Sequence, residues 1–420
     1  MKTTTNLATL GMAVVLCGPT IGAARAEDWA QFRGPGGHGR STTSGPVAWS
    51  RDENIVWKAE LPGAGASTPI VVGDRIYLTS YSGYAVPKEE PGDLDQLVRH
   101  LLCVDLKTGK LLWDKQVEAR LPEPERIRDH GYAANSVVAD SQRVFAFFGK
   151  SGVFAFDHSG RQLWHAEVGD GTNGWGTAAS PVLFGNAVIV NASVESQSLV
   201  ALDQKTGKEV WRAKGMRESW STPLLVPVGD ETELVVPVFE KILGFDPQTG
   251  KQLWSCNTDI RWYMVPSLVA DDGVVYCVGG RSGGALAVRA GGRGDVTDSH
   301  RLWTGRKGSN VSSPVYHDGH LYWAHEATGA VYCAEAKSGE IVYEQRLERA
   351  GQIYASALLA DGKVYYLTRD GRTFVVAAKP DYELVGVNEL RDGFTFNASP
   401  AAAANRLLIR SDRFLYCVGK

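Results

Sequence analysis

One phrase recurs along the chain and constrains its fold more than any other feature. Asp203–Trp211 reads Asp-Gln-Lys-Thr-Gly-Lys-Glu-Val-Trp; Asp105–Trp113 and Asp246–Trp254 are close copies, Asp157–Trp164 is one residue shorter, and Glu335–Tyr343 is a worn version. An apolar run such as Ser198–Leu202 precedes each. The chemistry is that of a tight hairpin. The Asp side chain accepts from backbone N–H groups two or three residues on, and the Gly supplies the positive φ that turns the chain back. The Trp then falls near the end of the returning strand. A flat apolar side chain of that size, worth on the order of 150–250 Å² of buried surface, needs cover. On the outer strand of one unit it is expected to lie across the hairpin glycine of a neighbouring unit.

From Asn54 onward the rest of the chain keeps the same period. Each unit opens on a small-residue and proline phrase, as at Ser67-Thr68-Pro69, Ser180-Pro181, Ser221-Thr222-Pro223, Ser312-Ser313-Pro314 and Ser399-Pro400. A strand, a glycine turn, a second strand, a third ending in the Asp hairpin, and the Trp strand follow, so each unit holds four strands. Val, Ile, Tyr and Phe fill them, and no helical apolar period appears. Trp-type positions fall at Trp57, Trp113, Trp164, Trp211, Trp254, Trp303, Tyr343 and Leu384 or Val385, which makes eight. First strands near residues 68, 137, 181, 223, 266, 314, 357 and 400 are also eight. Trp57 precedes the first opening strand, while the last unit stops after its third. The surplus at one end fills the deficit at the other, as in a closed ring. The expected fold is an all-β, eight-bladed β-propeller of four-stranded antiparallel blades, closed by an N-terminal strand that completes the C-terminal blade. The 367 residues from Asn54 give roughly 46 per blade, within the ~40–50 of propeller repeats. A count of seven stays open at the worn seventh unit.

Charge is close to balance: 44 Lys+Arg against 47 Asp+Glu give a formal −3. That excludes the basic excess of a nucleic-acid binder and gives no reason for adhesion to an anionic membrane surface. Residues 1–26 have the form of an export signal, with Lys2, a mostly apolar Leu7–Leu16 and the A-x-A site Ala24-Arg25-Ala26. The apolar run is too short to span a bilayer, and no later run is long enough. Cys17 raises lipid attachment, but bulky Leu16 stands where such sites carry small residues, so cleavage after Ala26 is expected. It removes Lys2 and Arg25 and no acid, taking the charge from −3 to −5. The expected product is a periplasmic or secreted monomer: an extension over residues 27–53, then a propeller over 54–420. Five cysteines remain, Cys103, Cys256, Cys277, Cys333 and Cys417. Cys103, Cys333 and Cys417 take the repeat position held elsewhere by Ala155, Ala201 and Gly244, so they read as small buried residues too far apart to bridge. In the extension, Gly34, Gly36 and Gly39 match the dinucleotide-binding spacing, but no strand precedes them and no helix follows.

The apolar-x-A-x-D-x-x-T-G-x-x-x-W phrase resembles the repeat of the pyrroloquinoline-quinone (PQQ) family, and the resemblance covers essentially all of the chain after the signal. Trp29–Gly39 also looks like the opening of a group of exported PQQ-like proteins. The resemblance implies the propeller fold and points along two branches. Quinoprotein dehydrogenases hold PQQ and calcium in the central funnel; they are longer and carry adjacent cysteines that form a vicinal disulfide. This chain has no Cys-Cys pair and no motif onto which their Asp base or their Glu and Asn calcium ligands can be placed. BamB-like propellers, the branch of the lipoprotein of the outer-membrane β-barrel assembly machinery, bind protein segments without catalysis. The expectation is therefore a non-catalytic scaffold for a protein or peptide, with no cofactor and no metal. The alternative is a PQQ- and calcium-dependent dehydrogenase of an alcohol or sugar.

In a propeller, segments entering the first strands and those joining second to third strands crowd one face around the channel, and function concentrates in such loops. The first set carries Trp220, Arg261, Trp262, Tyr263, Asn310, Asn397 and the segment Gln352–Tyr354; the second carries Glu240, Lys241, Arg281, His325, Glu326 and Arg369. Aromatic platforms with Arg and Glu suit a peptide or a polar small molecule. Arg261-Trp262-Tyr263 stands out because neighbouring units use small residues there. His325-Glu326 lacks the second His of a zinc-protease motif. The insertion from about Ser82 to His100 reads as a disordered surface loop, with partner docking or a lid as the alternative. Arg120–His130, charged and proline-broken, reads similarly. Arg293-Gly294-Asp295 reads as a chance adhesion tripeptide in a glycine-rich turn.

Overall fold

In the recurrent hairpins the Asp side chains bond as their spacing predicts. Asp203 Oδ1 accepts from the backbone N–H of Lys205 (3.1 Å) and Thr206 (2.8 Å) and from the Thr206 hydroxyl (2.7 Å), and Gly207 takes φ +71°. Asp105 and Asp246 repeat the arrangement. The computed structural model, which describes residues 28–281 and 283–419, has eight sheets, and these hairpins join the third and fourth strands of five of them. The export signal and Cys17 lie outside the described residues. Blade 1 comprises Ile70–Val72, Arg75–Ser82, Val98–Asp105 and Leu111–Glu118, and blades 2 to 7 follow in chain order in the same antiparallel pattern. Blade 8 takes Ala401–Ala403, Arg406–Arg410 and Phe414–Val418 from the C-terminal end and Ile55–Glu60 as its outer strand. The ring closes as expected, and the worn seventh unit is a full blade, Leu358–Ala360, Lys363–Leu367, Arg372–Ala377 and Leu384–Glu389.

The tryptophans have the predicted cover. Trp57, Trp113, Trp164, Trp211 and Trp303 lie against Gly109, Gly160, Gly207, Gly250 and Gly339 of the next blade, where an added Cβ would come within 2.4–3.0 Å of the indole. Each Nε1–H donates to a backbone carbonyl of that neighbour at 2.9–3.1 Å. Trp254 departs from the pattern. The next blade replaces its hairpin with an insertion whose Gly294–Asp295 pairs parallel to Trp254–Ser255, and Trp254 Nε1 donates instead to Glu233 Oε2 at 2.6 Å.

The Ser-Pro phrases have a role as well. Backbone N–H groups of Thr68, Ser136, Ser180, Thr222, Ser267, Ser313 and Ser356 each donate to a hydroxyl of the following blade at 2.9–3.3 Å. This collar of hydroxyls ties the innermost strands round the channel. At the junction of blades 8 and 1 the fully buried Arg410 donates to Ser67 and to the Thr79 carbonyl.

Residues 28–41 reach across the ring. The Trp29 and Ala30 carbonyls accept from Val71 (blade 1) and Ala139 (blade 2); Arg33 donates to the Pro314 carbonyl (blade 6); Arg40–Ser41 pairs parallel to Leu359–Ala360 (blade 7). A segment bonded to innermost strands on opposite sides of the ring lies across the channel. Its glycines serve that path: Gly34, Gly36, Gly37 and Gly39 all have φ between +64° and +77°, a region open to Gly at little cost.

The insertion at Ser82–His100 is ordered, against the expectation from its charges. Tyr81, Val86, Leu97 and Tyr132 form a satellite core; Lys88 Nζ stands 4.4 Å above the Phe394 ring and Glu89 pairs with Arg413 at 3.3 Å. Apolar residues interleaved with the charges supply the loop's own packing. Arg120–His130 is likewise held, through Glu123 bonded to buried Arg99 at 2.5 Å. All five remaining cysteines are free and buried, in five different strands, and burial raises the thiols to about 11 or 12.

Candidate functional site

The segments entering blades 4, 5 and 7 carry Trp220, Trp262–Tyr263 and Tyr354, and at the position of Trp220 and Tyr354 blades 1 to 3 carry Ala66, Ala134 and Ala178. Trp220 N–H donates to the Met264 carbonyl (2.7 Å) and Met264 N–H to the Glu218 carbonyl (2.9 Å), so two successive entries run side by side. That pairing brings Trp220, Trp262 and Tyr263 together. Tyr263 is the hub, with ring centroids at 5.1 Å from Trp262, 5.6 Å from Trp220 and 5.9 Å from Trp175. Trp220 is locked by its Nε1–H bond to the Gly176 carbonyl (2.8 Å), which also fixes the loop that carries Trp175.

These rings wall a cavity of about 390 Å³, in the range of ligand-binding clefts, ~300–1,000 Å³. The far wall is polar. Glu326, buried, accepts from Asn310 N–H at 2.9 Å and from the Ser309 hydroxyl at 3.4 Å. Arg281 lies 5.9 Å from the Trp262 ring and Arg128 5.3 Å from the Trp175 ring. Burial holds the His130 imidazole below its usual range, so it lines the cavity as a neutral ring. Trp262 Nε1–H and Asn310 Oδ1 are buried there without a protein partner, an unsatisfied donor and acceptor of the kind a ligand or water completes.

Of the twelve candidates from the sequence, Trp220, Trp262, Tyr263, Arg281, Asn310 and Glu326 line this one cavity. Arg369 stands beside it, stacked 4.3 Å from Tyr354 and bonded to Asp129 at 3.1 Å. Asn397 donates to the Asp129 carbonyl. His325 faces a neighbouring groove. Arg261 and Glu240 pair with each other on the exposed rim at 3.7 Å, and Lys241 is exposed at the start of its strand; the structure does not bring these three into the cavity. Arg128, Asp129 and His130 belong to Arg120–His130, expected as a disordered loop, and Trp175 was not among the candidates; their segments precede the repeat positions of blades 2 and 3. A Trp out of phase with the repeat, in the glycine-rich Gly169–Thr177, was the available signal.

Among the described residues no group of three or more His, Cys, Asp or Glu side chains is placed to hold a metal ion. The acids at the cavity are engaged, Glu326 by Asn310 and Asp129 by Arg369, and the cysteines lie in separate strands. The residues present therefore do not fit a calcium–quinone centre closed by a vicinal disulfide.

Comparison with known proteins agrees with this architecture. The curated outer membrane protein assembly factor BamB of Burkholderia pseudomallei (strain K96243) is 22% identical over 377 residues, 85% of each chain. BamB from Moraxella catarrhalis superposes with a TM-score of 0.62 at 16% identity, covering 86% of this chain and 96% of its own. Quinohemoprotein alcohol dehydrogenase from Comamonas testosteroni superposes at 0.69 with 13% identity, covering 94% of this chain and 81% of its own. At such identities the superpositions speak to the fold alone. Residues 40–195, 195–311 and 271–381 match the family model described as outer membrane protein assembly factor BamB. With repeat, ring and match together, the chain belongs to the BamB family of PQQ-repeat propellers.

Proposed function

We propose that this protein is an exported, non-catalytic scaffold that receives a segment of a protein partner in the cavity around Tyr263, without a cofactor. The observation that carries this reading is the cavity wall itself. Four large aromatic rings converge on a polar rim, and an indole N–H and an amide oxygen are left free to bond a peptide backbone. Rigid aromatic anchors of this kind dominate binding hot spots. The relatives' name, outer membrane protein assembly factor, supports a partner in that process and a periplasmic location. Among the described residues no helix is long and apolar enough to cross a membrane.

The test pairs capture with cofactor titration. Wild-type protein and Trp262→Ala/Tyr263→Ala protein of matched thermal midpoint are used as baits against a periplasmic extract. The partner held by the wild type is expected to be lost from the variant. The same samples receive PQQ with Ca²⁺; stoichiometric quinone binding with dye reduction would replace the scaffold reading by that of a dehydrogenase.

A further inference from the structure

Beside the aromatic cavity an open groove of about 650 Å³ runs between blades 5 and 6. Arg306 and Lys307, just after the last strand of blade 5, form one bank; Glu344 and Arg346, on the last strand of blade 6, form the other. Two segments change sides between groove and cavity. Gly308 faces the groove and Asn310 the cavity; His325 faces the groove and Glu326 the cavity. The two spaces therefore share walls.

The charges on these walls are unequal. Lys307 is neutralised by Glu344 at 2.8 Å. Arg306 and Arg346 are exposed, and among the described residues neither has a carboxylate within 4.0 Å; the same holds for Arg128 and Arg281 at the cavity. Of the nearby acids, Asp129 and Glu344 are paired with Arg369 and Lys307, and Glu326, which accepts from the Asn310 N–H, leaves one carboxylate against the four guanidiniums. Four unpaired guanidiniums thus border these two adjoining spaces, on a chain whose formal charge is −3. Guanidinium groups take carboxylates in two parallel hydrogen bonds, and complementary potential selects partners more than it adds affinity.

We propose that the occupant is an acidic peptide segment. One aromatic or aliphatic side chain fills the cavity against Tyr263, and the flanking carboxylates pair with Arg281 at the junction and with Arg306 and Arg346 along the groove. Trp262 Nε1–H and Asn310 Oδ1 meet the peptide backbone. This assignment rests on the peptide-binding reading above and adds the partner's chemistry to it.

The experiment uses the full exported chain and fluorescein-labelled peptides followed by anisotropy. One peptide has a central Phe flanked by Asp and Glu; a second replaces every acid by Asn or Gln; a third replaces the Phe by Ala. The acidic Phe peptide is expected to bind about tenfold more tightly than its amide counterpart at low salt, a difference near 1.4 kcal/mol, with the advantage shrinking as salt screens it. The exposed double variant Arg306→Gln/Arg346→Gln should lose most of that preference, the share of Arg281 remaining, and keep its affinity for the amide peptide. Equal affinity for acidic and amide peptides, or a double variant that retains the preference, would overturn the acidic assignment and leave the peptide reading standing. A folded chain that binds none of the three would overturn both.

Discussion

Glu195 shows what a single side chain can impose. It is 4% exposed, its Oε2 has no protein partner, and the carboxyl shares a cavity of about 20 Å³ with the Arg99–Glu123 pair and Lys150. Such a space holds about one water. Desolvation raises the carboxyl from an ordinary 4.5 to about 8, against hydrogen bonds from its own backbone N–H and from Thr177, so it is neutral in the folded protein at pH 7. The unfolded chain ionises first. Stability is therefore full below about pH 4.5 and falls as pH rises toward about 8. Glu195→Gln keeps the shape and removes the titration. Urea midpoints at pH 5 and pH 8 should fall for the wild type and stay nearly level for the variant; parallel behaviour would remove Glu195 from this role. The roof of that small cavity, Asn173 and Thr177, belongs to the loop that carries Trp175. Nothing local in the sequence announces this, because a buried Glu and a solvated one look alike until distant segments enclose them.

The outer strand of each blade carries a device that the repeat encodes without displaying it. In all eight outer pairings the register slips by one residue at the same place, beside an aromatic in seven blades and beside Gly386 in blade 7, where Leu384 or Val385 was expected to hold that position. Ala201 faces Trp211 and Leu202 faces Glu209, so Val210 opposes nothing and is 56% exposed. Such a bulge bends and twists the strand locally, which turns Trp211 toward Gly250 of the next blade and sends Val210 to solvent. Two adjacent apolar residues thereby acquire opposite weights. Trp211→Ala should cost roughly 3–5 kcal/mol, the range for truncating a large buried aromatic. Val210→Ala should stay within about 0.5 kcal/mol, as surface changes do. Denaturant unfolding of the pair checks this; a loss below about 1 kcal/mol for Trp211→Ala would mean that these rings do not cement the blades. The small residue opposite the ring, Cys103, Ala155, Ala201, Gly244, Cys333 or Cys417, follows from the same geometry. That is why the cysteines read correctly as packing residues.

At the scale of the whole molecule the ring is held by one strand from the other end of the sequence. Ile55–Glu60 pairs with Phe414–Val418, and its Trp57 bridges blade 8 to Gly109 of blade 1. Without it the last blade exposes an edge and the ring opens. Removing residues 28–60 should therefore cost at least about 3 kcal/mol more than removing residues 28–53, since only the longer deletion takes Trp57. Equal thermal midpoints for the two truncations would show that closure is not what the strand supplies. Blade count, strand order and the closing strand were legible because each follows from local rules repeated in phase: a turn residue, a strand period, an aromatic at fixed spacing. The twelve candidate residues were legible as a face, and half of them meet in one cavity. The other wall was not legible. Arg128, Asp129 and His130 reach the cavity from an interblade loop that obeys no repeat, and Arg261, two residues from Tyr263, points to the rim. The sequence by itself determined a ring of eight blades and how it closes, because those depend on neighbours in the chain. Only the tertiary structure decided which loops share a cavity and which charges go unpaired, because those depend on residues that the chain does not bring together until the ring is shut.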